Sequence, residues 1–161
     1  MTADEVIRLL ELKPLEMEGG YFRRTYENMD GIIDGKPKAT AIYYLLTADT
    51  CSCLHRLPSD EVYHFYLGDP VELLVMDDSG RGSVRLLGSD LTAGMLVQTA
   101  VPAGTWQGSR LVTGGSWALL GTTMAPGFTD DDFTAMSFEE AQKLSVLRPD
   151  LKELICALQK V

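Results

Sequence analysis

Between Gly20 and about Met124 the chain is a succession of short runs rich in β-branched and aromatic residues, each closed by turn residues, with no helical pattern between them. The runs fall at 21–27, 40–47, 52–56, 61–67, 71–77, 83–87, 95–101, 105–111 and 116–124. Punctuation comes from Asp30-Gly31, Asp34-Gly35, Gly68-Asp69-Pro70, Asp78-Ser79-Gly80, Ala93-Gly94 and Gly114-Gly115, residue types that supply turn conformations or interrupt a ladder. So many short strands at nearly even spacing, without helices between them, restrict the fold to an antiparallel sandwich or barrel. Helices are expected only at the ends. Thr2-Ala3-Asp4-Glu5 reads as a capping box opening a helix over about 3–12, which Lys13-Pro14 ends. Ser137-Phe138-Glu139-Glu140 is a second box, and Pro149 suits the first turn of a last helix, so 137–159 is read as helical.

A chain of 161 residues is expected to be one domain, 1–161, with its β region at about 20–136. The net charge of −9 argues against nucleic acid, whose phosphates need clustered Lys and Arg. MTADEVIRLL lacks the basic and apolar regions of a secretory signal, and no run of about 18 apolar residues is present, so neither export nor a membrane span is expected. Cys51, Cys53 and Cys156 are odd in number and show no paired spacing, which fits reduced thiols in a cytoplasmic protein.

Both histidines lie in "CLHRLPSDEVYHFYLGDP", residues 53–70, around Asp60-Glu61. His55 ends one expected strand and Glu61 opens the next, so the two can aim at one point. Alternation from Glu61 puts Tyr63, Phe65 and Leu67 on its face and Val62, His64 and Tyr66 on the other. His64 is therefore expected to point away from the His55–Glu61 pair.

These residues resemble the cupin motifs, G-x5-H-x-H-x3-4-E-x6-G followed by G-x5-P-x-G-x2-H-x3-N. Cys53-Leu54-His55 stands at the H-x-H position, with Glu61 and Gly68 following at nearly the family's intervals. The segment from Gly94 to Pro102-Ala103-Gly104-Thr105-Trp106-Gln107 resembles the second motif, with seven residues rather than five before the proline. More specifically, "EGGYFRRTY", "LHRLPSDEVYHFYLGDPVELLVM", "VPAGTWQGSRL" and "LLGTTMAPGFTDDDF" resemble the cupin-5 family, whose relatives compare in fold with dTDP-sugar 3,5-epimerases. The resemblance runs over 12–136. It implies an all-β double-stranded β-helix, the jelly-roll cupin barrel, with short terminal helices, and it implies a homodimer.

A metal cupin offers three His and one Glu, and a chain with two histidines cannot form that set. Cys53 stands where the first His belongs and Gln107 where the last one does. The reduced set His55, Glu61 and Gln107, with Cys53 as a further thiolate, leaves a divalent metal ion as the one cofactor the pattern keeps open. A second reading is a hydrogen-bonded pocket histidine with no chemistry. The third is metal-free acid–base work, with His55 as base, Glu61 orienting it and Tyr63 as acid. Tyr21, Tyr43 and Tyr44 are further tyrosine candidates, and barrel packing is the milder reading for each. Arg23 and Arg24 face opposite ways on one strand, and Arg23 is taken as the one that binds ligand. Cys53, Trp106 and Gln107 complete the expected pocket lining. Trp117 and Phe128 read as core, and Asp130-Asp131-Asp132 as a solvated turn.

Two functional classes follow. One is an isomerase- or epimerase-like enzyme acting on a small polar, sugar-like molecule in the barrel. The other is a domain that holds or senses such a molecule without turning it over.

Overall fold

The computed structural model describes residues 1–30 and 35–160. Gly31 and Asp34, each half of an expected turn, lie outside the described residues. The elements run α1 (Ala3–Leu10), β1 (Lys13–Pro14), β2 (Tyr21–Asn28), β3 (Ala39–Thr47), β4 (Ser52–Arg56), β5 (Glu61–Gly68), β6 (Val71–Met76), β7 (Gly82–Leu87), β8 (Gln98–Val101), β9 (Trp106–Leu111), β10 (Trp117–Met124), β11 (Thr134–Ala135), α2 (Phe138–Leu147) and α3 (Lys152–Ala157). No described helix is long and apolar enough to cross a membrane.

The strands form two sheets, in the orders β1-β2-β3-β10-β5-β8 and β11-β4-β9-β6-β7, and the pairings within each are antiparallel. The facing inner surfaces bury Tyr44, Leu46, Tyr63, Phe65 and Leu120 from the first sheet against Val71, Leu73, Val75 and Leu111 from the second. β5 alternates buried and half-buried residues from Glu61 to Phe65, as a strand with one covered face must. β6 does not alternate: Leu73, Leu74, Val75 and Met76 are all buried. Its outer face is roofed by the C-terminal helices, where Leu74, Met76 and Trp106 meet Ala141, Leu144 and Ile155. α1 covers part of the other sheet, setting Val6 and the following Leu12 on Leu45 and Leu119.

Both capping boxes form. Thr2 accepts from the Glu5 amide, and Ser137 Oγ accepts from the Glu140 amide at 3.2 Å while the Glu140 carboxylate accepts from the Ser137 amide at 2.9 Å. Ser137→Ala is expected to cost about 1 kcal/mol in urea unfolding. The inner cavity should be unaffected, since α2 lies on the far side of its sheet.

Several boundaries differ from the sequence expectation. α1 stops at Leu10, with Glu11 in a left-handed conformation, and Lys13-Pro14 pairs with Tyr21 and Phe22 as an edge strand. β8 begins only at Gln98, because 91–94 form turns around the Asp90 carboxylate and Leu96 makes an isolated bridge to Leu87. The Pro149 turn is a 3-10 helix that precedes α3. Asp130–Asp132 is also a 3-10 turn, but Asp132 is not solvated: it is buried, paired with Lys36, and accepts from the Thr129 amide at 2.9 Å.

Candidate functional site

Two backbone irregularities assemble the interior site. The first is a bulge in β4, where Ser52 pairs with Ser109 but His55 pairs with Gln107, three steps on one strand against two on the other. The extra residue turns Ser52 and His55 to the same inner face, which strict alternation forbids. The second is the turn between β1 and β2. Gly19 (φ 109°) and Gly20 (φ 70°) adopt conformations that side chains resist. The Cys53 amide donates to the Glu18 carbonyl at 2.9 Å and the Tyr44 hydroxyl to the Gly19 carbonyl at 3.0 Å. This turn swings Glu18 inward, where its carboxylate accepts from Ser52 Oγ at 2.5 Å.

Glu61 opens β5 between Val101 and Met124 and is buried. Its Oε2 accepts from Gln107 Nε2 at 2.7 Å. Burial raises the Glu61 pKa above the ordinary carboxylate range and the Glu18 carboxylate raises it further, while His55, Thr122 and Gln107 pull it back. Tyr63 and Tyr44 are raised well above a free phenol, first by burial and then by the carboxylates around them, so both stay protonated. Glu18 and Glu61 line a small cavity of about 40 Å³. Phe22 and Phe128 form aromatic walls and Arg24 stands at the mouth.

His55 is buried one layer behind. Its Nδ1 lies 2.7 Å from the Cys53 carbonyl, which only accepts, so Nδ1 is the donor of that bond. Its ring stacks on Phe133 at 4.9 Å between centroids. The buried Gln107 Oε1 has no hydrogen-bond partner, nor has Ser109 Oγ.

A divalent metal does not fit this donor set. The Gln107 amide presents its N–H, not its oxygen, to the Glu61 carboxylate, so the two do not offer oxygens to one point. Among the described residues no group of three or more His, Cys, Asp or Glu side chains is arranged to hold a metal ion. Cys53 adds no thiolate. Its thiol hydrogen-bonds to Cys51, and the shared proton holds Cys53 far up while Cys51 is drawn down to about 7.

Other expected site residues lie elsewhere. Arg23 points outward, pairing with Glu11 at 3.2 Å and lying over the Tyr43 ring, because β2 alternation gives the inner face to Arg24. Trp106 is one step out of phase with Gln107. It packs under α2, donating to Asp78 at 2.7 Å with the Arg56 guanidinium over its ring. Phe128, read as core, is cavity wall. Tyr21, Tyr43 and Trp117 pack in the outer cluster with α1. His64 points outward and is held by Thr123 and Gln98 at 3.1 Å each.

Glu18 was missed by the reading of the histidine stretch. The signal was present, because Glu18 begins "EGGYFRRTY" and two glycines follow it.

The family described as Cupin superfamily (DUF985) matches residues 4–136. A solved protein from Shewanella oneidensis is 31% identical with a TM-score of 0.88, covering 99% of this chain and 98% of its own. A hypothetical protein from Leishmania major is 27% identical with a TM-score of 0.84, and each chain is covered fully, 100% and 100%. A cupin 2 domain-containing protein from Halorhodospira halophila, 9% identical with a TM-score of 0.61 over 89% of this chain and 84% of its own, shares the fold. No functionally curated protein matches this chain.

Proposed function

The chain belongs to the Cupin_5 family of the cupin superfamily, and from the geometry of its interior we propose that the cavity binds a small polar molecule and exchanges a proton with it through Glu61. The observation that carries this is a buried carboxyl on the cavity wall whose pKa is raised by burial and by a second carboxylate. Such a group can hold or release a proton nearer neutral pH than an exposed glutamate. Gln107 donates to Glu61 Oε2 and the Thr122 hydroxyl also hydrogen-bonds the carboxyl, which holds it at the cavity wall. Tyr63, protonated, on the same inner face as Glu61 and close enough for Glu61 and Glu18 to raise its pKa, is the proposed second proton donor. His55 is a positioning residue in this scheme: its attraction for Glu61 tempers the raised pKa, and the Cys53 carbonyl holds its ring through Nδ1. Base and orienter thus exchange the roles expected from the sequence. Proton removal at one face of a carbon and return at the other is the chemistry of an isomerase or epimerase.

The test is ligand-observed NMR with a library of small polar metabolites, run against the wild type and Glu61→Gln. Hits that exchange a ligand C–H with solvent deuterium only in the wild type support the reading. Binding without exchange reduces the protein to a holding or sensing domain, and the absence of any hit overturns the cavity as a site.

A second copy of this chain is the partner we propose for the outer face of the six-stranded sheet. There the Arg23 guanidinium lies over Tyr43, Tyr43 meets Tyr66 edge to face and Tyr66 stacks on His64; Tyr66 is 45% exposed and Leu67 beside it 52%. A half-exposed aromatic strip on a flat sheet is an interface composition. Tyr66→Glu is expected to shift the sedimenting species to monomer, and a wild type that sediments as monomer at micromolar concentration rejects the pairing. Three free cysteines suit a reducing compartment such as the cytoplasm.

A further inference from the structure

We propose that Cys51 and Cys53 are a redox pair that a hydroperoxide closes into an intrachain disulfide, Cys51 being the thiol the oxidant attacks and Cys53 the thiol that resolves it. The inference does not depend on the cavity being a binding site.

Placement is the first argument. The two cysteines flank Ser52, whose hydroxyl points to the Glu18 carboxylate, and alternation along the strand turns both thiols to the opposite side. There they hydrogen-bond to each other. Cys51 is half-buried and Cys53 is buried, so a small oxidant arriving from solvent meets Cys51 first. Cys51 Sγ lies 3.8 Å from the Ala157 carbonyl oxygen at the end of α3, and its side chain packs against the helical cluster. The third cysteine is set apart: Cys156 is exposed and lines the groove between α2 and α3. A disulfide holds its α-carbons within about 4.4–6.8 Å. Two extended residues span at most about 7 Å, so closure asks only a small contraction of the backbone at Ser52.

Reactivity is the second argument. The thiolate is the form that attacks a peroxide. The hydrogen bond with Cys53 draws Cys51 down to about 7, and the Arg110 guanidinium assists, against burial and the Glu18 carboxylate. Roughly half of Cys51 is then thiolate at neutral pH, where an ordinary thiol is ionised to a few per cent, while Cys53 keeps its proton. In the first step the Cys51 sulfur takes a hydroxyl from the hydroperoxide. The S–O bond forms as the O–O bond breaks, sulfur is oxidised by two electrons, and the alkoxide or hydroxide released takes a proton from water. In the second step the Cys53 sulfur displaces that hydroxyl. The S–S bond forms, the S–O bond breaks, and the Cys53 proton leaves with the hydroxide as water. A pair that closes and reopens suits a compartment where standing disulfides are rare.

The test exposes the reduced full chain to hydrogen peroxide at neutral pH, blocks free thiols with N-ethylmaleimide and maps the tryptic peptides by mass. Residues 39–56 form one tryptic peptide that holds both thiols, and Cys156 lies in another. The 39–56 peptide is expected to come out unalkylated and about 2 Da lighter, at least about tenfold faster than Cys156 oxidises. Millimolar glutathione should restore it. Cys53→Ser should stop the reaction at a Cys51 sulfenic acid, which dimedone captures. The wild-type map decides the matter even where a variant fails to fold. Alkylation of both Cys51 and Cys53 after Cys156 has oxidised, a bridge to Cys156, or direct conversion of Cys51 to the sulfinic acid would each overturn the pair.

Discussion

Glu61→Gln is expected to yield a protein more stable at neutral pH than the wild type and stripped of its proton-transfer chemistry. The two effects share one cause. In the folded chain the Glu61 carboxyl is buried beside Glu18 and its pKa is raised, whereas in the unfolded chain it titrates as an ordinary glutamate. Between those two values the native state holds a proton that the unfolded chain has released. Native stability is therefore lost as pH rises through that interval and regained as pH falls below it. Gln keeps an oxygen to accept from Gln107 and never ionises, so the variant should show no loss over the same interval. Above it the variant should be ahead by about 1–3 kcal/mol. Proton exchange with a cavity ligand should fall by about 10²–10⁴-fold. Urea unfolding of both proteins between about pH 4 and 8, with the exchange assay at one pH, reads both effects. A variant that is less stable at pH 7, with the wild-type slope intact, would mean that Glu61 is a satisfied ion, and the proposed chemistry would go with it.

The second large effect is expected at Gly19, which has no side chain of its own. At φ 109° a side chain is strained, and a β-carbon there would run into the Cys51 carbonyl oxygen. Neither backbone can give way without losing the bonds that tie Glu18 to Cys53 and Gly19 to Tyr44. Gly19→Ala should cost about 3 kcal/mol or more and should lower cavity binding as well, because Glu18 is delivered by that turn. Gly35→Ala is the control. It also has a positive φ, 80°, but among the described residues nothing lies within 4 Å of its added carbon, so the conformational penalty of about 1 kcal/mol is what applies. Thermal unfolding of the pair separates collision from strain, and equal losses would remove the special role given to the 18–20 turn.

The architecture was legible in the chain because its signals are local. Alternation in "EVYHFY" reports one covered face, turn residues mark the strand ends, and each Ser or Thr three residues before a Glu marks a helix start. The inward placement of Glu61, Tyr63 and Gln107 follows from the same period of two, as does the outward placement of His64. The losses occur where that period is broken or where an inner face had to be chosen. Without the β4 bulge Ser52 and His55 could not share a face, and a one-residue insertion leaves no mark in "CSCLHR". Arg23 and Arg24 were known to face opposite ways, yet which one faces in depends on how β2 registers on β3, a pairing between segments far apart in the chain.

The sequence by itself determined the fold class, the two capped helical ends and the family, because backbone propensity, alternation and turn chemistry act between near neighbours. Only the tertiary structure decided that Glu18 meets Glu61, that the Gln107 amide turns its N–H to that carboxylate, and that His55 stands behind them rather than at the cavity wall. Those facts rest on burial and on charges brought together across two sheets. Desolvation and Coulomb attraction depend on distances that the order of residues does not contain.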